Sequence, residues 1–530
     1  MADSTDAQSS DAVPTYEQER SRLAPLLPDM TSGAGSRNAH REEMMYSPLV
    51  SLAVKHAVDY DQHAGKDSTQ SVTEQVQSLS LEGLPQIYPQ YATLGCSIGQ
   101  DDGGIGHREP IMLNTNSPAS TFICGSQGSG KSYTLACMME NCILKDEQLG
   151  TLVSPLVGLV FHYDVDSGNN IAEVASLCSR GIKVKVLVSR TNYHRLKAAY
   201  EANAGEHSAN LSVQPLLLQD HQLTNERMQR MMSMSENEGK TPLYMDVIMR
   251  ILRDMALDPA PFSMAMFEAL VALQTFDRVQ ENFLKQRIDL LKSFCASGAR
   301  SYHNRALENA RGQAARAIIN SHPPIPEHNV LEIEPGTLTI IDLSDPSIGT
   351  STACMLFDIC LSIAKEKPIT SGLVIALDEA HKYIDSCSAA TTFTNSLLTT
   401  IREQRHKGVR VVIATQEPTI SEKLLDLCSV TIVHRFTSPE WFQTLKRHLS
   451  GCSESTRSAE EQAALFKRIV GLGQGESLVF SPSSYVRVRE EREVQVVGKL
   501  GDGVLRMKTR PRVGVDGGRS VMAVKGAWKG

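Results

Sequence analysis

At 530 residues the chain is too long for one ordinary core, so two or three structural units are expected. A hydrophobic share of 41% with 21% charged residues is the balance of a soluble globular protein and excludes disorder throughout. The net charge of −7 excludes a polycation, so any nucleic-acid surface has to be a local patch.

The N-terminus, Met-Ala-Asp-Ser-Thr-Asp, lacks the basic-then-apolar shape of a signal peptide. Apolar runs such as Leu373–Leu377 are far short of a membrane span. The eleven cysteines form no C-x-x-C pair, which argues against a zinc framework or a disulfide scaffold. These features place the protein inside the cell, in cytoplasm or nucleus, neither secreted nor membrane-bound.

Residues 1–85, rich in Ser, Asp, Gln and Ala, read as a polar and mostly disordered tail with a short helix around Pro48–Tyr60. Order begins near Leu94, and residues 86–204 form the first part of a core. Thr121–Cys124 is a short buried strand, Lys131–Leu144 a helix, and Leu156–Tyr163 and Ile182–Val188 two further strands. Residues 205–330 change character: Leu243–Leu257 and Ser263–Cys295 carry apolar residues at helical spacing, so this is an α-helical insertion, with Ser263 as an N-cap. The core resumes over 331–490 with strands Thr337–Leu343, Leu373–Leu377 and Val409–Thr415, and Leu478–Phe480 closes the sheet at one edge. Strand and helix in alternation predict an α/β fold with a mainly parallel sheet flanked by helices. Residues 491–530 form a basic C-terminal extension.

The strand Thr121–Cys124 runs into Gly125-Ser126-Gln127-Gly128-Ser129-Gly130-Lys131-Ser132, which fits G-x-x-x-x-G-K-[ST] at every fixed position. Glycines at 125, 128 and 130 let main-chain N–H groups wrap phosphates without a side chain intruding. Lys131 brings a point charge to the β- and γ-phosphates, and the Ser132 hydroxyl completes a Mg²⁺ shell. The helix that follows offers its positive end to the same anion, so nucleotide contacts are expected from Gly125 through Tyr133.

Leu373–Leu377 ends in Asp378-Glu379. An acid at the tip of such a strand sits beside the phosphate loop, where Asp378 would hold Mg²⁺ and Glu379 would act as general base toward water. Alternatively, either acid caps the helix expected at Ala380–Tyr383. The pair of acids argues for hydrolysis over transfer to a bound hydroxyl, a reaction that wants water excluded. His381 completes a DEAH tetrapeptide, but no accompanying helicase motifs are present, and a helix position is the simpler reading.

The stretch Arg402–Gln416 reads Arg-Glu-Gln-Arg-His-Lys-Gly-Val-Arg-Val-Val-Ile-Ala-Thr-Gln. It resembles the HerA/FtsK superfamily of ring-forming DNA-pumping ATPases, in which a helix ends in an Arg-x-x-Gly turn and the next strand terminates in Gln. The resemblance extends to the loop Asp164–Gly168, to Asp345, to Thr431–Phe436 with Arg435, and to Gly475–Val479. It implies a RecA/HerA-like P-loop fold binding ATP and Mg²⁺. Catalysis would fall to Lys131, Glu379, Gln416 as γ-phosphate sensor, and Arg405 as a finger reaching into a neighbouring copy, with Arg435 ranked second. An arginine supplied in trans is worth about 10³–10⁵ in rate and makes hydrolysis depend on assembly. A cyclic homo-oligomer, a hexamer by analogy, is therefore implied, with DNA as a partner. Arg405 also suits a solvated helix end, and Gln416 a strand cap.

Two departures from the family stand out. The first 90 residues look too polar to build the small β-barrel that HerA proteins carry ahead of the loop, and the loop reads Ser-Gln-Gly where Ser-Thr-Gly is commoner. Lys499, Arg506, Lys508, Arg510, Arg512, Arg519, Lys525 and Lys529 make the C-terminus basic. It suits phosphate contacts, and equally a solubilising tail or a docked strand. Three functional classes stay open: a ring-forming motor on DNA, a regulatory or scaffolding NTPase whose nucleotide state switches protein contacts, and, ranked last, a phosphotransferase to a small molecule.

Overall fold

The computed structural model describes residues 40–67, 86–99, 105–165, 171–233, 244–296, 331, 333–367, 371–449, 452, 458–491 and 494–515. Residues 1–46 form a unit of their own, of which 40–45 is helical. Everything below concerns residues 47–530.

Among the described residues sixteen strands join one sheet. Half of it is parallel. In spatial order this half runs β12 (Val430–His434), β4 (Ser120–Cys124), β11 (Val409–Thr415), β10 (Leu373–Leu377), β6 (Val157–His162), β9 (Leu338–Asp342), β7 (Val184–Val188) and β8 (Leu211–Pro215). Every adjacent pair here is parallel. Strands covered on both faces read as continuous Val/Ile/Leu runs, which is why the sequence announced most of them. Along β10, Leu373, Ile375 and Leu377 enter one apolar cluster while Val374 and Ala376 enter the other. On the first face, helices Thr350–Glu366 and Ser388–Arg402 pack Phe357 and Phe393 around Phe161, at 4.9 and 5.6 Å between ring centres. The second face is covered by the helix Lys131–Ile143 and by Tyr193–Ala204.

The other half of the sheet departs from expectation. β13 (Glu476–Phe480) was read as an edge, yet it lies inside, antiparallel to β12 on one side and to β16 (Leu505–Thr509) on the other. Beyond β16 come β2 (Tyr91–Ser97), β3 (Pro110–Leu113), β1 (Leu49–Ser51), β14 (Tyr485–Glu491) and β15 (Val494–Lys499), with β5 (Gly150–Thr151) beside β2. The stretch 1–85 is therefore not uniformly a tail: Leu49 and Val50 are buried in the sheet, and the helix Leu52–Asp67 follows directly. A run of three apolar-facing residues in polar surroundings is too short to show periodicity. The basic extension after 491 likewise contributes two strands, so of its three readings the docked strand describes residues 494–509. Arg519, Lys525 and Lys529 lie outside the described residues.

The insertion begins later than expected, because β8 still belongs to the sheet. Its helices are Asn225–Ser233, Tyr244–Ala256, Met264–Ala272 and Arg278–Lys292. Ser263 caps the third, accepting from the Met266 N–H at 3.4 Å, and the stretch expected to run on to Cys295 is interrupted before Asp277. Residues 297–330 lie outside the described residues.

Candidate nucleotide site

β4 delivers the chain into a loop whose turns only glycine tolerates. Gly125, Gly128 and Gly130 sit at φ 153°, 71° and 110°. A Cβ on Gly125 would meet the His434 Cβ at 2.7 Å, and one on Gly130 the Gly475 Cα at 3.0 Å. The loop is anchored from β12: the Ser126 N–H and hydroxyl both donate to the Arg435 carbonyl, at 2.9 and 2.8 Å. Ser129 Oγ donates to the Ser126 carbonyl at 2.7 Å, and Lys131 Nζ to the same oxygen at 3.1 Å. Gln127 and Gly128 remain at the exposed tip.

His434 forms the floor beneath this loop. Its Nδ1 stands 3.0 Å from the Glu476 carbonyl and its Nε2 3.0 Å from Thr134 Oγ1, which in turn bonds Thr509 on β16. Burial pushes this imidazole down to about 4.

β11 stands between the loop strand β4 and the acid strand β10. Side chains span the gap: Ser132 Oγ donates to Asp378 Oδ1 at 3.4 Å. Asp378 is 3% exposed, and its second oxygen, Oδ2, lies 3.4 Å from His162 Nδ1 at the tip of β6. Burial pulls the Lys131 ammonium below its usual range, countered in part by Glu379 and Asp378. Burial, reinforced by Asp378, raises the Glu379 carboxyl.

Glu379 is in the left-handed region, φ 49°, and makes no side-chain cap to the 3₁₀ turn Ala380–Lys382. Its side chain instead meets Gln416 at the end of β11: Gln416 Nε2 donates to Glu379 Oε2 at 3.3 Å.

His381, read from sequence as a helix residue, belongs to this group. Its Nδ1 accepts from the Gln416 N–H at 3.4 Å and lies 3.4 Å from Glu379 Oε2. Burial, with Lys131 and Lys382 nearby, pushes it down to about 4, so at neutral pH it is an uncharged acceptor. Lys382 pairs with Asp164 at 2.5 Å, joining the acid strand to the loop after β6. Asp166, Ser167 and Gly168 of that loop lie outside the described residues.

His162 and His434 were missed, while His381 was weighed and read as a helix residue, and it does lie in the 3₁₀ turn Ala380–Lys382. A single histidine in or just after an apolar strand has no spacing signal, and its meaning comes from strands remote in sequence.

Three expected residues sit elsewhere or otherwise. The Tyr133 ring is covered by the Arg512 guanidinium at 4.3 Å, and its hydroxyl accepts from the Arg512 N–H at 2.7 Å. Arg405 is exposed in the turn Gln404–Lys407 ahead of β11, whereas Gln416 follows that strand's other end. Seven strand residues place the two roughly 20 Å apart, on opposite edges of the sheet. Arg435 is exposed beside the phosphate loop, on the same edge as Ser132 and Asp378.

A glycine loop thus stands between a parallel strand and a helix, facing acids two strands away across an intervening strand, which is the arrangement the phosphate-loop motif and the strand-tip acids predict. No family model matches the chain, and no curated protein matches it in sequence. Among solved structures it is similar to VirB4 of Thermoanaerobacter pseudethanolicus, at 11% identity over 79% of this chain and 97% of that one, with a TM-score of 0.39. It is also similar to the genome packaging NTPase B204 from Sulfolobus turreted icosahedral virus 2 in complex with ATP-gammaS, at 12% identity over 30% and 66% of the two chains, TM-score 0.19. A third similarity is to the cytoplasmic domain of the Thermomonospora curvata type VII secretion ATPase EccC, at 14% identity over 81% of this chain and 29% of that one, TM-score 0.27. No helix among the described residues is long and apolar enough to cross a membrane.

Proposed function

We propose that the chain binds and hydrolyses ATP. The observation that carries this reading is the meeting of Ser132 and Asp378, 3.4 Å apart though 246 residues separate them in sequence. The phosphate loop cradles the anion with main-chain N–H groups, and Lys131 neutralises charge on it. Ser132 and Asp378 would hold Mg²⁺, which when bound draws charge from the phosphate oxygens. No cluster of three His, Cys, Asp or Glu side chains suited to a metal occurs among the described residues. Two protein oxygens suit an ion that keeps its other positions for water and phosphate. Glu379, its proton affinity raised by burial, takes the proton of the attacking water, and Gln416 orients both.

The motor reading builds on the resemblance to the HerA/FtsK superfamily. Arg405 is too far from its own Gln416 to serve it, so a catalytic role requires a second copy in a cyclic assembly. Duplex DNA is the proposed track.

Hydrolysis is tested by phosphate release. Lys131→Ala abolishes turnover and weakens nucleotide binding, whereas Glu379→Gln keeps binding and stops turnover. A Glu379→Gln protein that hydrolyses normally removes the base assignment. For the track, the ATPase rate is measured with and without duplex DNA over a salt series; stimulation that fades with salt supports the motor.

The switch reading also has an observation in its favour. Arg506, Arg510 and Arg512, counted among the basic residues of the C-terminus, are paired with Glu476, Glu140 and Glu173 at 2.8, 2.7 and 2.6 Å. These pairs hold residues 506–512 against β13, the helix Lys131–Ile143 and the turn that begins at Glu173, and commit the three guanidinium groups to protein carboxylates. A DNA-independent rate favours this second reading.

A further inference from the structure

His162 occupies the last position of β6, in a strand that otherwise reads Val-Gly-Leu-Val-Phe. It is 1% exposed, and neither ring nitrogen has a hydrogen-bond partner of ordinary geometry. Burying an imidazole in that condition is costly, and a valine or isoleucine would fill the position without the penalty. Packing alone gives no reason for a histidine there.

Its neighbours supply one. β6 lies between β10 and β9. In register His162 stands opposite Asp342 on β9, and the Asp378 N–H donates to the Phe161 carbonyl at 3.0 Å, so Asp378 follows the pairing on the β10 side. Asp378, His162 and Asp342 thus form one row across three strand tips. The outer member is fixed: Asp342 Oδ2 accepts from Tyr200 Oη at 2.7 Å and Oδ1 from the Ser344 N–H at 3.0 Å. The Tyr200 hydroxyl is itself held by the Ala172 N–H at 3.1 Å. The inner member is divided, with Asp378 Oδ1 facing Ser132 and Oδ2 facing His162, each at 3.4 Å. A carboxylate turns about its last bond. A partner on one oxygen therefore decides where the other points.

We propose that His162 is the positioning residue of Asp378, steadied by Asp342, and that it sets how strongly the Ser132–Asp378 pair takes the magnesium of a magnesium–nucleotide complex. The inference rests on the ATPase reading but is separable from it. A positioning partner of this kind is worth about 10–100-fold in metal affinity.

The test is equilibrium binding of a non-hydrolysable ATP analogue, adenylyl imidodiphosphate, in Mg²⁺ and in EDTA, whose ratio gives the metal-dependent gain. In His162→Phe this gain falls at least about tenfold while the affinity in EDTA stays near wild type. His162→Gln, which keeps a side-chain donor, recovers part of it. An undiminished gain in His162→Phe overturns the proposal, and so does an equal loss in EDTA and in Mg²⁺, which is the mark of a merely structural residue. If His162→Phe does not fold, Asp342→Asn carries the test: a several-fold smaller gain with unchanged EDTA binding supports the row, and an unchanged gain overturns it. A wild-type protein that does not bind the analogue with Mg²⁺ sinks the nucleotide reading itself, an outcome distinct from all of these.

Discussion

At Gly130 the backbone lies at φ 110°, and any side chain there would be driven against the Gly475 main chain. Gly130→Ala should cost about 1–3 kcal/mol of stability from backbone strain and reduce nucleotide affinity with it, measured by urea unfolding and by analogue binding. His434 next to it makes a pH prediction. Buried and held at about 4, it stays neutral in the folded protein, while in the unfolded chain it titrates near the ordinary histidine value of about 6.5. Its contribution is complete above pH 6.5 and is lost as pH falls toward 4, because only the unfolded chain takes up the proton. The urea midpoint should drop between pH 7 and pH 5, and His434→Gln should flatten that drop. An equally steep loss in the variant assigns it to other groups, His381 first among them. The phosphate loop was legible because its glycines, lysine and serine are adjacent in sequence. The histidines were not, since each acquires its role from a carboxylate, carbonyl or hydroxyl on another strand.

The intervening strand β11 sets the scale of the site. Two steps across the sheet put the loop strand and the acid strand roughly 10 Å apart, a gap that Ser132 and Asp378 close from either side. The strands that make this frame were visible as runs of Val, Ile and Leu. β1, β2, β3 and β14–β16 were not: they are short or interleave polar residues, and the pairings that join them into one sheet, β1 with β14 and β2 with β16, bring together residues hundreds of positions apart. β13 was visible, but its place was not, because an apolar triplet does not say whether one neighbour or two will cover it. The arm after β16 was read by composition as basic, yet it docks by particular contacts. Glu140, 2% exposed, accepts from Arg510 Nη1 at 2.7 Å and from the Gly514 N–H at 3.1 Å. Glu140→Ala leaves Arg510 buried without this anion, a change that costs about 3–5 kcal/mol in such settings. Hydrogen exchange over residues 505–515 should accelerate markedly; unchanged protection would mean the arm is held by something else.

On the scale of the molecule, Arg405 and the acids lie on opposite edges of one sheet, so a finger role is possible only between copies. Doping Arg405→Ala protein into wild type should lower activity more than dilution alone, because one defective subunit silences a neighbour's site. Strictly proportional loss removes the trans role. Native mass measurement with the non-hydrolysable analogue and Mg²⁺ gives the number of subunits.

The placement of β16 has a consequence for how the polypeptide is made. It pairs with β2, about 400 residues upstream, and with β13. Until it leaves the ribosome, β2 on one side and β13 on the other have no strand between them, and both edges stay unpaired. A stop codon just before Leu505 would therefore be no mild trimming. It would divide the sheet down its middle, and the truncated product should be recovered with chaperones or in aggregates.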